Sequence, residues 1–416
     1  MDNLEKESFM SEVSEQIEFN LAHDGGNGYM KDRLNGQTTI FPSVLARFLP
    51  GMQNNIIKAS DTKEVQNLLN NYLDDMDITV QSNGINSNGR YLVGKAGINS
   101  GAPLMTFNVS SVEGKSTSDI SIISALSLVA YNAVKVYYEQ YNNLPENLKV
   151  EVAKMATDLP IDETKNRSIR ESYITRFTGN QHIVVINNFD NPITVNVTFK
   201  KAFLEAEGVV GERGLIMSPT NAGMLRDDDV FQPLIEDYQL DSFDGQDLME
   251  AGNTIGVDIG DGTVDFSAMN GLASLPNMND SLNTGIGNIA EEAISALHQA
   301  YPAIRRLNRQ KFMEIANRGN DEESRTYHSF LDQQMIVLNQ QIISKISTLY
   351  SRLDQQVGMI IISGGGAVAL KPTLSASLKE TMKQLDSFNK TKIFWVGPKY
   401  AQTLNLDGLE ARVLIM

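Results

Sequence analysis

Apolar positions alternate with polar ones in short runs near both glycine-rich turns of the chain, and recur at helical spacing between them. Ile17, Phe19 and Leu21 alternate as a half-buried strand requires, and the run ends at Asp24-Gly25-Gly26-Asn27-Gly28. The arrangement returns in the other half: an apolar strand from Thr254 to Asp258, a turn at Gly260-Asp261-Gly262, and a returning strand from Thr263 to Phe266. Aspartate and glycine at such a turn predict a two-residue type I′ hairpin with positive φ. A glycine turn also leaves backbone N–H groups bare, so a phosphate can approach them. Two copies, one in each half, read as a repeated site that closes on a polyphosphate from both sides, with Asp258 placed to meet a cation.

Between the hairpins, Gln37 to Ala46 reads as a strand interrupted by Pro42. Residues 51 to 90 are polar and Asn-rich, and 36 to 104 read as a small insert on the first domain. Ser121 to Tyr141 is the clearest helix, with Ile122, Leu126, Val129, Ala133 and Val136 in one stripe. An apolar stretch from Leu148 leads to Asp158-Leu159-Pro160, and strands follow at Gly179 to Ile186 and Ile193 to Phe199. From Leu225 to Glu250 carboxylates outnumber the single Arg226, which predicts a solvated loop or, alternatively, a docking segment for a basic partner. Two further helices carry Ile286, Ile289, Ala293 and Leu297, and Met335, Leu338, Ile342, Ile346 and Leu349. Val357 to Ala367 is a continuous apolar strand running into three glycines, the pattern of a strand buried on both faces.

At 416 residues, 41% of them hydrophobic, the chain can form two ordinary cores, so two domains are expected. There is no cysteine, which excludes disulfides, thiolate metal sites and a Cys nucleophile. The absence of a long apolar run or a basic leader predicts a soluble, cytoplasmic protein without membrane partners. The net charge of −16 argues against direct nucleic-acid binding, so any DNA would be reached through an adaptor protein. His23, His182, His298 and His328 show no metal-binding spacing, and no G-x-x-x-x-G-K-(S/T) is present, which argues against a P-loop enzyme.

Asp24-x-Gly26-Asn27-Gly28-x-x-Lys31, Asp258-Ile259-Gly260-Asp261-Gly262-Thr263-x-Asp265 and Ile361-Ile362-Ser363-Gly364-Gly365-Gly366-Ala367 resemble, in order and rough spacing, the phosphate-1, phosphate-2 and adenosine motifs of the actin, Hsp70 and sugar kinase superfamily. Phe41-Pro42-Ser43, Tyr91 to Gly94, Asp158 to Pro160, Phe177 to His182 and Glu207-Gly208 are similar to plasmid-segregating actin-like proteins of the ParM/StbA kind. The likeness spans about residues 17 to 410, apart from the acidic stretch at 225 to 250.

That resemblance implies an α/β actin-like (ribonuclease H-like) fold of two domains, each a central mixed β-sheet flanked by helices, with the nucleotide in the cleft between them. The expected division is a polar acidic tail at 1–16, domain I at 17–204, and domain II at 205–416 with a small subdomain at about 276–350. It implies ATP or ADP, with GTP as an alternative, and Mg²⁺ held by Asp24 and Asp258 largely through water. Phosphates would meet Gly26, Asn27, Gly28, Lys31, Gly260, Asp261, Gly262 and Thr263, with Gly285 also against the nucleotide and Gly364, Gly365 and Gly366 against the purine. Catalysis would fall to Asp258 and to Glu207, which orients water. Glu205 is the alternative, and Glu207 is favoured because Gly208 follows it. The implied function is an ATPase that assembles into filaments and moves plasmid or phage DNA through a ParR-like adaptor bound to a centromere-like site. The alternative on the same fold is a small-molecule kinase of the sugar type.

Overall fold

The computed structural model of the protein describes residues 16–53, 55–107, 114–304, 307–319 and 321–416. The acidic tail expected at 1–16 lies outside the described residues except for Gln16. Strands of the first half are β1 (Ile17–Gly25), β2 (Tyr29–Leu34), β3 (Gln37–Pro42), β4 (Val44–Arg47), β5 (Asp77–Ser82), β6 (Gly89–Val93), β7 (Leu104–Thr106), β8 (Asn147–Leu159), β9 (Gln181–Ile186), β10 (Ile193–Phe199) and β11 (Ala202–Ala206). They form one mixed sheet in the order β3-β2-β1-β8-β10-β9-β5-β6-β4-β7. The 13-residue β8 is its spine: β1 runs parallel along one side, while β10 and then β11 share the other.

The second half supplies β12 (Asn253–Ile259), β13 (Val264–Asn270), β14 (Ala273–Ser274), β15 (Asp280–Leu282), β16 (Val357–Ser363) and β17 (Lys392–Trp395). These make a second mixed sheet, β14-β13-β12-β16-β17, with β15 beside β13. Separate hydrophobic cores lie on the two sheets, each closed by a long helix. The helix Asp119–Tyr141 covers the first, starting from the Ser118 cap and ending at Asn142, whose φ of 53° stops it. It is long and apolar enough to cross a membrane, but most of it is buried in this core. The helix Glu322–Arg352 covers the second; its first turns are polar, and Tyr327 is buried among them.

Three features depart from the pattern in the sequence. The second hairpin is not a type I′ turn: four residues, Gly260 to Thr263, join β12 to β13, and Gly260 N–H donates to the Thr263 carbonyl at 2.9 Å. Asp261, the first residue between them, is not in the left-handed region that a type I′ turn requires, and Gly25, Gly26, Gly28 and Gly260 also avoid it. Next, the polar stretch after residue 51 holds a helix, Thr62–Asn71, capped by Asp61 and anchored by Val65, Leu68 and Leu69. Its neighbours β5 and β6 extend the main sheet through β9, so this region adds strands to the first core.

Third, the acidic stretch is folded. Val230, Phe231, Leu234 and Leu248 form a core of their own with Leu215, Ile361 and Phe394, while the carboxylates point outward or cap the helix Gly245–Glu250. Arg226 is the keystone: it is 1% exposed, donates to the Gly214 carbonyl and pairs with Asp228 and Asp407.

The halves are joined where the helix Leu404–Ile415 lies across the helix Val209–Ile216 and against β1 and β8. Ala22, Ala156, Val210, Leu406, Leu409 and Val413 fill this junction. The helices touch backbone to backbone: a Cβ on Gly408 would sit 1.9 Å from the Val210 carbonyl oxygen, and one on Gly214 would sit 2.6 Å from the Gly408 nitrogen. Gly408→Ala forces the crossing apart and is expected to cost about 1–3 kcal/mol, read as an earlier urea midpoint with the secondary structure retained.

Candidate active site

The parallel pairings β1–β8 and β12–β16 carry Asp24, Asp158 and Asp258 to strand ends that face one another. On the first wall, Asp24 lies opposite Lys31 in the hairpin register and accepts from its Nζ at 2.6 Å. Ser43 fixes the intervening loop, its hydroxyl donating to the Gly26 carbonyl at 2.6 Å and its N–H to the Gly28 carbonyl at 3.1 Å. On the second wall, Asn405 donates to Asp258 Oδ2 at 2.7 Å and Arg309 to Asp261 Oδ2 at 2.9 Å. The two glycine loops meet here, since a Cβ on Gly28 would lie 3.3 Å from Asp261 Cγ.

Asp24, Gly26, Asn27, Gly28, Lys31, Glu207, Asp258, Gly260, Asp261, Thr263 and Gly364 to Gly366 all line this one cleft. Gly364, with φ of 92°, leaves no room for a side chain, because a Cβ would sit 2.4 Å from both Asp258 Oδ1 and the Ile259 carbonyl. Two expected residues stand elsewhere. Gly262 is in the second loop but not on the cleft wall. Gly285 caps the helix Ile286–Ala300 behind that loop; its N–H donates to Asn288, while Ile286 and Gly287 N–H donate to the Gly260 and Asp261 carbonyls.

Glu205 and Glu207 diverge. Glu205 turns to Arg213 at 2.6 Å, away from the cleft. Glu207 follows the end of β11, its N–H donating to the Leu159 carbonyl, and its carboxylate reaches the cleft beside Gly208. There it meets a residue no motif announced: Lys115, whose Nζ donates to Glu207 Oε1 at 2.6 Å with both side chains buried. Burial alone would lower the Lys115 pKa, but Glu207, Asp158 and Asp24 raise it above the ordinary lysine range. Lys31 behaves alike, with burial outweighed by Asp24, Asp258 and Asp158.

Two carboxyls near these lysines, Asp258 and Asp158, are held in their neutral form more readily than usual. Burial pushes Asp258 up to about 6, against the opposing Lys31 charge and the Asn405 hydrogen bond. Asp158 is pushed well above its ordinary value by burial and by Asp24 and Glu207, and neither of its oxygens has a hydrogen-bond partner among the described residues. Beneath the first loop, Asp32, His23 and Ser121 form a relay, with His23 Nδ1 2.5 Å from Asp32 and Nε2 2.8 Å from Ser121 Oγ. His23 and Asp32 are fully buried and Ser121 almost so; the relay ties the loop to the helix Asp119–Tyr141 rather than facing a substrate.

Burial lifts Asp265 to about 7; Glu207 adds to the rise, and the Ser281 and Thr263 hydroxyls oppose it. A carboxyl that ionises less readily folded than unfolded costs stability as pH rises from its unfolded pKa, about 4, through its folded one. Asp265→Asn lacks that charge. It is expected to melt higher than the wild type at about pH 8, with the gap narrowing toward about pH 5, as read from thermal melts across that range.

No family model matches the chain, and no curated protein matches it by sequence. Solved structures do match. The actin-like protein Alp7A superposes with a TM-score of 0.68 at 15% identity, covering 96% of each chain. ParM from a 15-stranded filament of Clostridium botulinum gives 0.58 at 16% identity, over 96% of this chain and 99% of that one. Bacillus thuringiensis ParM with AMPPNP gives 0.57 at 12% identity, with 96% and 99% covered. This chain is thus similar over nearly its whole length to actin-like proteins of the ParM and Alp7A kind, and it has the actin-like fold.

Proposed function

We propose that this protein is a cytoplasmic, filament-forming actin-like ATPase that segregates plasmid or phage DNA through a DNA-binding adaptor. The observation that carries the ATPase reading is the convergence of two glycine loops, Lys31, Asp24, Asp258 and Glu207 on one cleft. In this reading residues 17–204 and 205–416 are the two domains, and the nucleotide lies between them.

Electrostatics favour a cation-borne nucleotide. Among the described residues, Asp24, Asp158, Glu207, Asp258 and Asp265 gather about Lys31 and Lys115, more carboxyls than ammonium groups, which disfavours a bare polyphosphate. Asp24 and Asp258 each spend one oxygen on a neighbour and keep the other, and among the described residues no three His, Asp or Glu side chains converge to hold a metal directly. That donor set suits Mg²⁺ held through its own water and the phosphates. When bound, the ion neutralises the charge that develops on the transferred phosphoryl.

The chain's own groups do the rest. Loop N–H groups and Lys31 position the phosphates, and Glu207 accepts a hydrogen bond from water aligned on the terminal phosphorus. The water oxygen bonds to that phosphorus as the bond to the bridging oxygen breaks. The bridging electron pair leaves on ADP, and the water proton passes through Glu207 to the released phosphate.

The filament reading is supported by the fold shared with a protein solved as a filament. Head-to-tail contacts do not close, so repeated contacts of this kind extend without limit. The adaptor follows from charge: at −16 the chain is repelled by DNA phosphates.

Glu207→Ala is expected to bind Mg-ATP and pellet as filaments while releasing phosphate roughly a hundredfold more slowly than the wild type. Phosphate release at the wild-type rate would remove Glu207 from the mechanism. Turnover of the wild type only when a small hydroxylated compound is added would replace the ATPase reading with the kinase one.

A further inference from the structure

Each lysine of the cleft is tied to one carboxylate, Lys31 to Asp24 and Lys115 to Glu207. The first pair joins neighbours in a hairpin. The second joins residues 92 positions apart and engages the group assigned to the attacking water.

The backbone around Lys115 is held firmly. Its own N–H and that of Ser116 both donate to the Glu163 carboxylate at 2.8 Å, and Gly114 turns there with φ of 74°. Arg176 holds the Ser116 and Ser118 carbonyls at 2.7 and 3.0 Å. From this fixed base the side chain reaches the cleft wall and ends on Glu207. An ammonium carries three donors, so Lys115 can take a second anion without leaving its pocket.

We propose that Lys115 is a catalytic residue that reads the third phosphate: it clamps Glu207 when the cleft is empty or holds ADP, and transfers its charge to the terminal phosphate when ATP binds. This rests on the cleft being an ATP site. A lysine in contact with the water-orienting carboxylate is one charged contact from the reacting phosphoryl. The incoming dianionic phosphate competes with Glu207 for the ammonium, and the freed Glu207 oxygen turns to water. In the step itself, Lys115 stays protonated and stabilises the charge that grows on the transferred oxygens, while the bonds made and broken are those of the hydrolysis above. Loss of phosphate returns Lys115 to Glu207. ADP, lacking the third phosphate, leaves the clamp closed.

The test compares binding of fluorescent ATP and ADP analogues, with Mg²⁺, to the wild type, Glu207→Gln, and Glu207→Gln combined with Lys115→Met. The double variant removes both charges, so no buried ion is left unpaired as it would be in Lys115→Met alone. Glu207→Gln is expected to bind ATP at least as tightly as the wild type, because the competitor for Lys115 is gone. The double variant is expected to lose about tenfold or more in ATP affinity relative to Glu207→Gln while holding ADP unchanged, the scale of one charge-assisted contact. Equal losses for ATP and ADP would make Lys115 structural, and an unchanged ATP preference would remove it from the third phosphate. Weaker ATP binding by Glu207→Gln would contradict the competition. A wild type that binds neither nucleotide would overturn the ATPase reading and this one with it; a wild type that hydrolyses ATP beside a double variant with intact preference would overturn this one alone.

Discussion

Bringing several carboxylates into one buried cleft is the constraint on which the rest of the structure depends. Carboxylates taken out of water repel one another and lose hydration, a cost that nearby cations, hydrogen-bond donors or a shift to the neutral form offset. The cleft meets it in two ways. Lys31 and Lys115 pair with Asp24 and Glu207, and Asp258 and Asp265 shift toward the neutral form, to about 6 and about 7. Among the described residues the lining still holds more carboxyls than ammonium groups.

The two sheets exist, in this view, to aim strand ends. Parallel neighbours β1 with β8 and β12 with β16 deliver Asp24, Asp158 and Asp258 to one place, and the two walls meet where Gly28 comes against Asp261. The helix Leu404–Ile415 is both junction and wall. It carries Asn405 to Asp258, packs Leu409 into the junction, and pairs Asp407 with Arg226 and Arg33.

What the sequence disclosed followed range. Asp24, Lys31, Asp258 and the glycine loops were legible because strand, turn and charge stand within a few residues of one another. Lys115 and Asn405 were not, since each gains its meaning from a partner 92 or 147 residues away. The helix Thr62–Asn71 was hidden by its polar majority, only Val65, Leu68 and Leu69 facing the core. The acidic stretch concealed Val230, Phe231 and Leu234 among carboxylates, and a composition rule counts charge without asking which side chains turn inward. The second glycine turn was read as a left-handed type I′ pair and is not one, because the composition Asp-Gly permits positive φ without requiring it.

The central claim is that this cleft couples a nucleotide's third phosphate to assembly. Right-angle light scattering of the purified protein at micromolar concentration, recorded together with phosphate release after addition of Mg-ATP or Mg-ADP, tests it most directly. Scattering that rises with ATP, falls as phosphate accumulates and does not rise with ADP is the predicted result. Phosphate release without any change in scattering, or equal scattering with ATP and ADP, would contradict it.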